Sequence, residues 1–518
     1  MDNFNKMLKS EISSFRSLGY KFAAKEVSIG DFKGVSGGMG VYAQRGGDRF
    51  MIRLRTSSGV LSLKHMKLIS SFLNEFNIKG LHLTTRQAVQ LHDLRIDAVC
   101  DIMETAIDNG LYTRGGGGNF PRNVSLSVMS GVEKNEYFDV TKFALKVGEY
   151  LMSQITEYKL PRKLKIAFSS SDKDEGNATL NDLGFMAAVE NGKPYFRVFL
   201  AGGLGGNPGT ALHYNKLIEP KDVLYHVEAV TQLFMAEGDY ANKAKARTRY
   251  IPRRMGTEAF FECYEKHLAE VKAKGGLDLD IPVVLSETAD YYSHRLPEAP
   301  CLLHQRQDNL YTVVIHPLNG QLPKKSFNDI ISYLEENNID EVRLSMTESM
   351  YVRNLTENQA VQLLSITNDI RMNSKVQQSV SCVGVPTCQI GIEQSQALIA
   401  DILKTLKENG TPDYLLPAIH VSGCQNSCSR HQVNELGFAG GKKKVGDAVE
   451  DVFDLYAGGT FSREKTELGR KVGTLLTREI PDFINKLAVE LNKNSMTFRQ
   501  YLTEKETEFN ALVGPYLV

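Results

Sequence analysis

Four cysteines stand in two close pairs: Cys382 and Cys388 in SCVGVPTCQIG, Cys424 and Cys428 in VSGCQNSCSRHQ. Four thiolates from two loops can hold one iron–sulfur cube. A structural zinc site is the competing reading. Zinc pairs are usually two to four residues apart, so the five residues between Cys382 and Cys388 fit it less well. Disulfides are not expected. The chain opens on a charged amphipathic stretch, MDNFNKMLKSEISSF, with no apolar leader, and a reducing compartment favours metal for paired cysteines. Cys100, Cys263 and Cys301 are isolated and read as small buried hydrophobes.

A second set of residues carries positive charge. Arg86 follows an apolar strand pattern, and Arg122 precedes Asn123. Lys163 and Lys165 alternate in PRKLK, so they share one strand face with Leu164 on the other. Arg247 and Arg249 lie in the basic run KAKARTRYIPRR. Taken singly, each reads as a solvated charge, a half-exposed strand or a nucleic-acid patch.

A length of 518 residues predicts about three domains. The 61 Lys and Arg balance the 61 Asp and Glu, so overall charge gives no argument for nucleic acid or a membrane surface. No apolar run reaches the roughly 18 residues of a membrane span. AGGLGGNPG, from Ala201, lacks the glycine phasing of a dinucleotide site.

The elements that must position these groups are written twice. The stretch from Phe50 aligns without a gap on the stretch from Leu310, matching Gly59 with Gly320, Leu61 with Leu322, Ile69 with Ile330, Ile78 with Ile339 and Leu83 with Leu344. Each copy predicts a strand, a glycine turn, a helix and a second strand. The repeat continues: Pro161 pairs with Pro417, and Asn181-Asp182-Leu183-Gly184-Phe185 with Asn434-Glu435-Leu436-Gly437-Phe438. The chemistry has diverged between copies. Leu126 and Phe168 stand where the second half has cysteines; Thr347, Ile419 and Val421 stand where the first has Arg86, Lys163 and Lys165. One half would hold metal and the other supply cations, with a large cofactor between them.

The chain resembles the siroheme-dependent sulfite and nitrite reductases from about Gly37 to the 480s. Thr84-Thr85-Arg86-Gln87, Arg122-Asn123-Val124, Leu160-Pro161-Arg162-Lys163-Leu164-Lys165, both cysteine pairs and the doubled half-domain carry the resemblance. It implies a duplicated α+β fold with a pseudo-two-fold axis. Two ferredoxin-like half-domains (37–115 and 301–372) form a composite, and two larger α+β domains follow them (116–300, siroheme-binding, and 373–490, with the cysteines). An N-terminal extension (1–36) and a C-terminal tail (491–518) complete the division. The resemblance further implies a 4Fe–4S cluster on Cys382, Cys388, Cys424 and Cys428, with Cys428 also ligating siroheme iron. Arg86 and Arg122 would bind and orient the substrate anion; Lys163 and Lys165 would stabilise charge and deliver protons. Arg247 and Arg249 fall in a segment that would bind siroheme carboxylates, with Asn123 as a carboxylate ligand or a support behind one. The glycines of GGGGN (from Gly115) and AGGLGGNPG read either as backbone donors to carboxylates or as plain loops. His420 and His431 read as structural.

Lys163 and Lys165 favour sulfite, because plant-type nitrite reductases usually carry Asn at the second position and a more cationic pocket suits a dianion. PTCQIGIEQ is similar to the sulfite branch, whereas CQNSCSRHQVNELGF is similar to both. Gln425 and Ser429 depart from the commoner Pro and Gly. The expectation is six-electron reduction of sulfite to sulfide. Reduction of nitrite to ammonia is the alternative, and a non-catalytic iron–sulfur electron-transfer protein is the reading from another class. With no flavodoxin-like domain or second cysteine cluster visible, ferredoxin or a flavoprotein is expected as donor. A cytoplasmic location, with no nucleic-acid or membrane partner, completes the expectation.

Overall fold

The computed structural model describes residues 2–287 and 294–518. Residues 288–293, inside the 116–300 stretch, lie outside the described residues. The strands fall into four groups along the chain. The first holds β1 (Val41–Ala43), β2 (Phe50–Leu54), β3 (Val60–Ser62), β4 (Gly80–Leu83) and β5 (Val89–Leu94). The second holds β6 (Ser125–Leu126), β7 (Ile166–Ser169), β8 (Leu183–Glu190), β9 (Lys193–Leu200) and β10 (Leu212–Ile218). The third holds β11 (Leu302–His304), β12 (Tyr311–Ile315), β13 (Gln321–Pro323), β14 (Glu341–Leu344) and β15 (Met350–Leu355). The fourth holds β16 (Val380–Ser381), β17 (Ile419–Ser422), β18 (Leu436–Val445), β19 (Ala448–Ala457) and β20 (Arg470–Leu476).

The two short repeats exchange a strand. Their sheets run β1-β2-β5-β4-β13 and β11-β12-β15-β14-β3, so each repeat completes the other's edge. Leu322 of β13 sits opposite Leu81 of β4, and Leu61 of β3 opposite Val342 of β14. Gly59 and Gly320 begin the two crossings. Both have positive φ (82° and 67°), and a Cβ on either would stand 2.7 Å from a backbone carbonyl of the other repeat, Leu344 or Leu83. Only glycine lets the chains pass so closely. The helices after the crossings, Leu63–Glu75 and Lys324–Glu336, bury Met66, Ile69 and Leu73 and the matching Phe327, Ile330 and Leu334, the three- and four-residue spacing of one helix face. They meet through Ser70 Oγ, which donates to Asn328 Oδ1 at 2.7 Å.

One hydrophobic core runs through both repeats. It includes Leu8, Ile12, Phe15, Phe22 and Phe32, so the segment before residue 37 is packed into the composite domain and not appended to it. The larger domains repeat a second topology. β6 to β10 and β16 to β20 each lie in sequence order, the first three strands parallel and the rest antiparallel. Each has its own core. Phe498, Tyr501 and Phe509 from the final segment belong to the second of these. No described helix is long and apolar enough to cross a membrane.

Candidate functional site

Parallel strands β16 and β17 end side by side, which brings Cys382 and Cys424 off neighbouring strand ends. Cys382 Sγ accepts from Gly423 N at 3.2 Å, and Cys424 Sγ accepts from Asn426 Nδ2 at 3.3 Å. Such donors favour the thiolate. Burial and the nearby Cys428 push the Cys382 thiol up to about 12. Burial raises Cys424 as well, with Cys428 and Cys388 adding to it. The surroundings of Cys382 and Cys424 therefore disfavour their thiolates until a cation enters; a metal inverts that balance. Among the described residues no three His, Cys, Asp or Glu side chains converge tightly enough to hold a single metal ion. In the first half the matching Leu126 and Phe168 are buried in the core.

The first half closes over the cysteine loops. Thr85 Oγ1 donates to Cys428 O at 2.8 Å, Gln432 Nε2 donates to Gly205 O at 2.9 Å, and Arg45 Nη2 donates to Gly391 O at 2.9 Å. Thr85 belongs to the turn between β4 and β5. Thr84 Oγ1 fixes that turn by accepting from Arg86 N at 3.3 Å and Ala88 N at 3.1 Å. Gln87, with φ 55°, accepts from Leu126 N and donates to the carbonyls of Leu126 and Leu344.

The lysines alternate as the pattern requires. Leu164 is in the core and bridges Pro121, while Lys163 and Lys165 are only half-buried on the opposite side. Burial, then Arg247, Arg122 and Arg162, brings Lys163 down to about 7; the Cys428 thiol opposes the shift. Lys165 is lowered well below its usual value by burial, Arg86, Lys163 and Arg247. Burial likewise lowers Arg86 to about 9 and Arg122 to about 10. Asp182 is the carboxylate within this group. It accepts from Lys165 N at 2.8 Å and from Arg247 Nη2 at 2.9 Å, a pair with side-chain exposures of 7% and 0%. Among the described residues no ion pair reaches Arg86, Arg122, Lys163, Lys165 or Arg249. Arg122 Nε and Arg249 Nη1 are buried without a hydrogen bond. A cleft with this much uncompensated positive charge fits an anionic group facing the thiols.

Several expected residues have further work in the fold. Arg86 donates to Asn181 Oδ1 at 2.9 Å, Ile166 O at 3.1 Å and Asn123 O at 3.1 Å. Arg122 donates to Gly116 O and Gly118 O, both at 2.8 Å. The amide of Asn123 accepts from Ser58 N and donates to the carbonyls of Arg86 and Gln87, fixing the turn that carries Arg86. The GGGG loop packs on the Gly37–Gly38 backbone, and a Cβ on Gly117 would collide with Gly37 O and the Tyr42 hydroxyl. In the second glycine loop a Cβ on Gly203 would lie 3.0 Å from both Arg247 Nη2 and Arg249 Nη1. His420 is buried, bonded to Ser429 O at 2.6 Å, and lowered to about 3 by burial. Sequence reasoning did not single out Arg430, Asn177, Asn181 or Asp182 for the site. The last two were visible only as part of the repeated Asn-x-Leu-Gly-Phe stretch, which reads as fold.

The same arrangement defines a class. The nitrite and sulphite reductase 4Fe-4S domain matches residues 117–272 and 372–489, and the nitrite/sulfite reductase ferredoxin-like half domain matches residues 42–108. The chain belongs to the nitrite and sulphite reductase family, a class of iron–sulfur oxidoreductases. Among its relatives, sulfite reductase (ferredoxin) 1 of Mycolicibacterium paratuberculosis is 24% identical over 89% of this chain and 83% of its own. The ferredoxin–nitrite reductase of Synechococcus elongatus is 26% identical over 85% of this chain and 86% of its own. The solved structure of Mycobacterium tuberculosis NirA covers 98% of this chain and 97% of its own with a TM-score of 0.79 at 22% identity, a likeness of fold.

Proposed function

We propose that this chain reduces sulfite to sulfide with six electrons, at a siroheme joined through the Cys428 thiolate to a 4Fe–4S cluster on Cys382, Cys388, Cys424 and Cys428. The substrate choice rests on one observation: Lys163 and Lys165 flank Leu164 in the segment leading into β7, in the electrostatic neighbourhood of Arg86 and Arg122, with no ion pair among the described residues. Coulomb attraction grows with ligand charge, so this cleft favours dianionic sulfite over monoanionic nitrite. Arg249 Nη1, buried beside Gly203 without a hydrogen bond, supports a reading in which Arg247 and Arg249 hold siroheme carboxylates and Asn123 braces the site from behind.

When bound, the cofactor pair would supply electrons singly and a metal centre for the anion. The residues do the rest. The planar forks of Arg86 and Arg122 orient the oxygens. Lys163, lowered to about 7, is part-protonated near neutrality, a poise suited to donating protons as oxygens leave and to being reloaded. Lys165 holds charge against the bound anion. Relatives named for ferredoxin support a protein donor, ferredoxin or a flavoprotein. A chain with free cysteines meant for a cluster suits the reducing cytoplasm.

Oxygen-free purification, an optical spectrum and steady-state kinetics with both anions test the proposal. Soret and red bands with the higher kcat/KM for sulfite support it. A higher kcat/KM for nitrite sinks the substrate choice. A spectrum without tetrapyrrole would leave an iron–sulfur electron-transfer protein.

A further inference from the structure

Arg430 lies two residues past Cys428, in the second half, and is 8% exposed. Its φ of 64° turns the side chain back across the interface between halves. Nη1 donates to Asn177 Oδ1 of the first half, and Nη2 donates to Met346 O at 2.6 Å. Asn177 is buried, with φ 61°, and its carbonyl accepts from Asn181 Nδ2 at 2.5 Å. Asn181 Oδ1 in turn accepts from Arg86 Nη1 at 2.9 Å. A single line of buried hydrogen bonds therefore runs from the loop of the second cysteine pair to the arginine assigned to the substrate. Nothing in the proposed chemistry uses Asn177, Asn181 or Arg430.

We propose that Asn177 and Asn181 are positioning residues through which Arg430 fixes the guanidinium of Arg86, so that anion binding depends on how the cysteine loop is seated. The physical need is plain. An arginine side chain has many rotamers, and holding its fork in one geometry removes that entropy before the ligand arrives. Arg86 also stands near Arg122, Arg247 and Arg430, which repel it, while the nearby carboxylate of Asp182 is engaged by Arg247 and Thr248. The neutral amide of Asn181 is the acceptor that holds one end of the fork against that repulsion. The line also ties the two halves, since Arg430 belongs to the second and Asn177 to the first.

The inference rests on the reading of Arg86 as the anion-binding group, so the test includes that residue. Sodium sulfite and sodium nitrite are titrated into oxidised holoenzyme, and Kd is read from the optical change, with cofactor content measured in the same spectra. Asn181→Ala removes the acceptor for Arg86. Asn177→Gly removes the side chain at a left-handed position that glycine tolerates, and Asn177→Asp keeps the acceptor for Arg430. Asn181→Ala and Asn177→Gly are each expected to raise Kd and KM about ten-fold, the scale of one charge-assisted hydrogen bond, with kcat within about two-fold. The double variant is expected to be no worse than Asn181→Ala alone, because both cut one line. Asn177→Asp is expected to stay within about two-fold of wild type, and a ten-fold loss there overturns the proposal even if the other variants lose cofactor. Wild-type Kd in Asn177→Gly and Asn181→Ala, alongside weakened binding in Arg86→Lys, overturns this inference alone. Losses that multiply in the double variant overturn the relay. An Arg86→Lys enzyme that binds both anions normally removes the role of Arg86, and this inference with it.

Discussion

At Lys163 and Lys165, burial and like charge act together against the ammonium form, and no carboxylate among the described residues pairs with either. A site built this way gains most when a doubly charged anion enters it. Replacing Lys165 with Asn is expected to cut kcat/KM for sulfite by about ten- to hundred-fold, the loss of a buried charge-assisted contact, and to affect nitrite much less. Equal losses with both anions in steady-state assays would remove the reason for preferring sulfite. Cys428 is the exposed member of its set, on the face turned toward Lys163. Cys428→Ser is expected to abolish turnover and the electronic coupling between cluster and siroheme seen by electron paramagnetic resonance. Normal turnover would refute the bridging thiolate.

Among the elements, the glycine loop after β9 and the segment carrying Arg247 and Arg249 act as one unit. The missing side chain at Gly203 leaves room at the guanidinium ends, while a Cβ on Gly206 would meet nothing within 4 Å. Gly203→Val is therefore expected to lower siroheme content per chain, with Gly206→Ala near wild type; equal content in both would show that the loop only connects strands. Packing behind the site depends on neutral histidine. His226, on helix Val223–Glu237, bonds Tyr264 on helix Thr257–Lys274, and burial lowers it to about 3. Its folded pKa lies below the unfolded value near 6.5, so the unfolded chain alone takes up this proton as pH falls from about 6.5 toward 3. The stabilising contribution is complete above pH 6.5 and declines by about 1.4 kcal/mol per unit below it. Urea unfolding of wild type and His226→Gln should show the gap between them narrowing at that rate between pH 6.5 and 5. A constant gap would mean that His226 is not the neutral partner.

On the scale of the whole molecule, the two halves are related copies that are tied together in the fold. The copies hold each other through exchanged strands, and each large domain presents one reagent: thiols from the second, cations from the first. Leu322 is fully buried on β13, in the sheet of the opposite repeat. Leu322→Ala is expected to cost about 2–5 kcal/mol. Its signature would be faster hydrogen exchange in β4 and β5, some 230 to 240 residues away in sequence. Exchange that rises only in β11, β12, β14 and β15 would contradict the coupling of the repeats through the swapped strand.

What could be read in the chain by itself were patterns with a fixed period or spacing: the gap-free repeat, the helix faces at Met66 and Phe327, the alternation of Lys163 and Lys165, and both cysteine pairs. These follow from local geometry and from ligand chemistry, which are written into short stretches of residue types. Three things belonged to the tertiary structure alone. The exchange of β3 and β13 was hidden because a three-residue strand does not say which edge it joins. The packing of Leu8 to Phe32 and of Phe498 to Phe509 into the cores was hidden because an apolar helix face does not name its partner. The line from Arg430 through Asn177 and Asn181 to Arg86 was hidden because buried polar residues find partners across hundreds of positions, and only the closed interface brings them within hydrogen-bond reach.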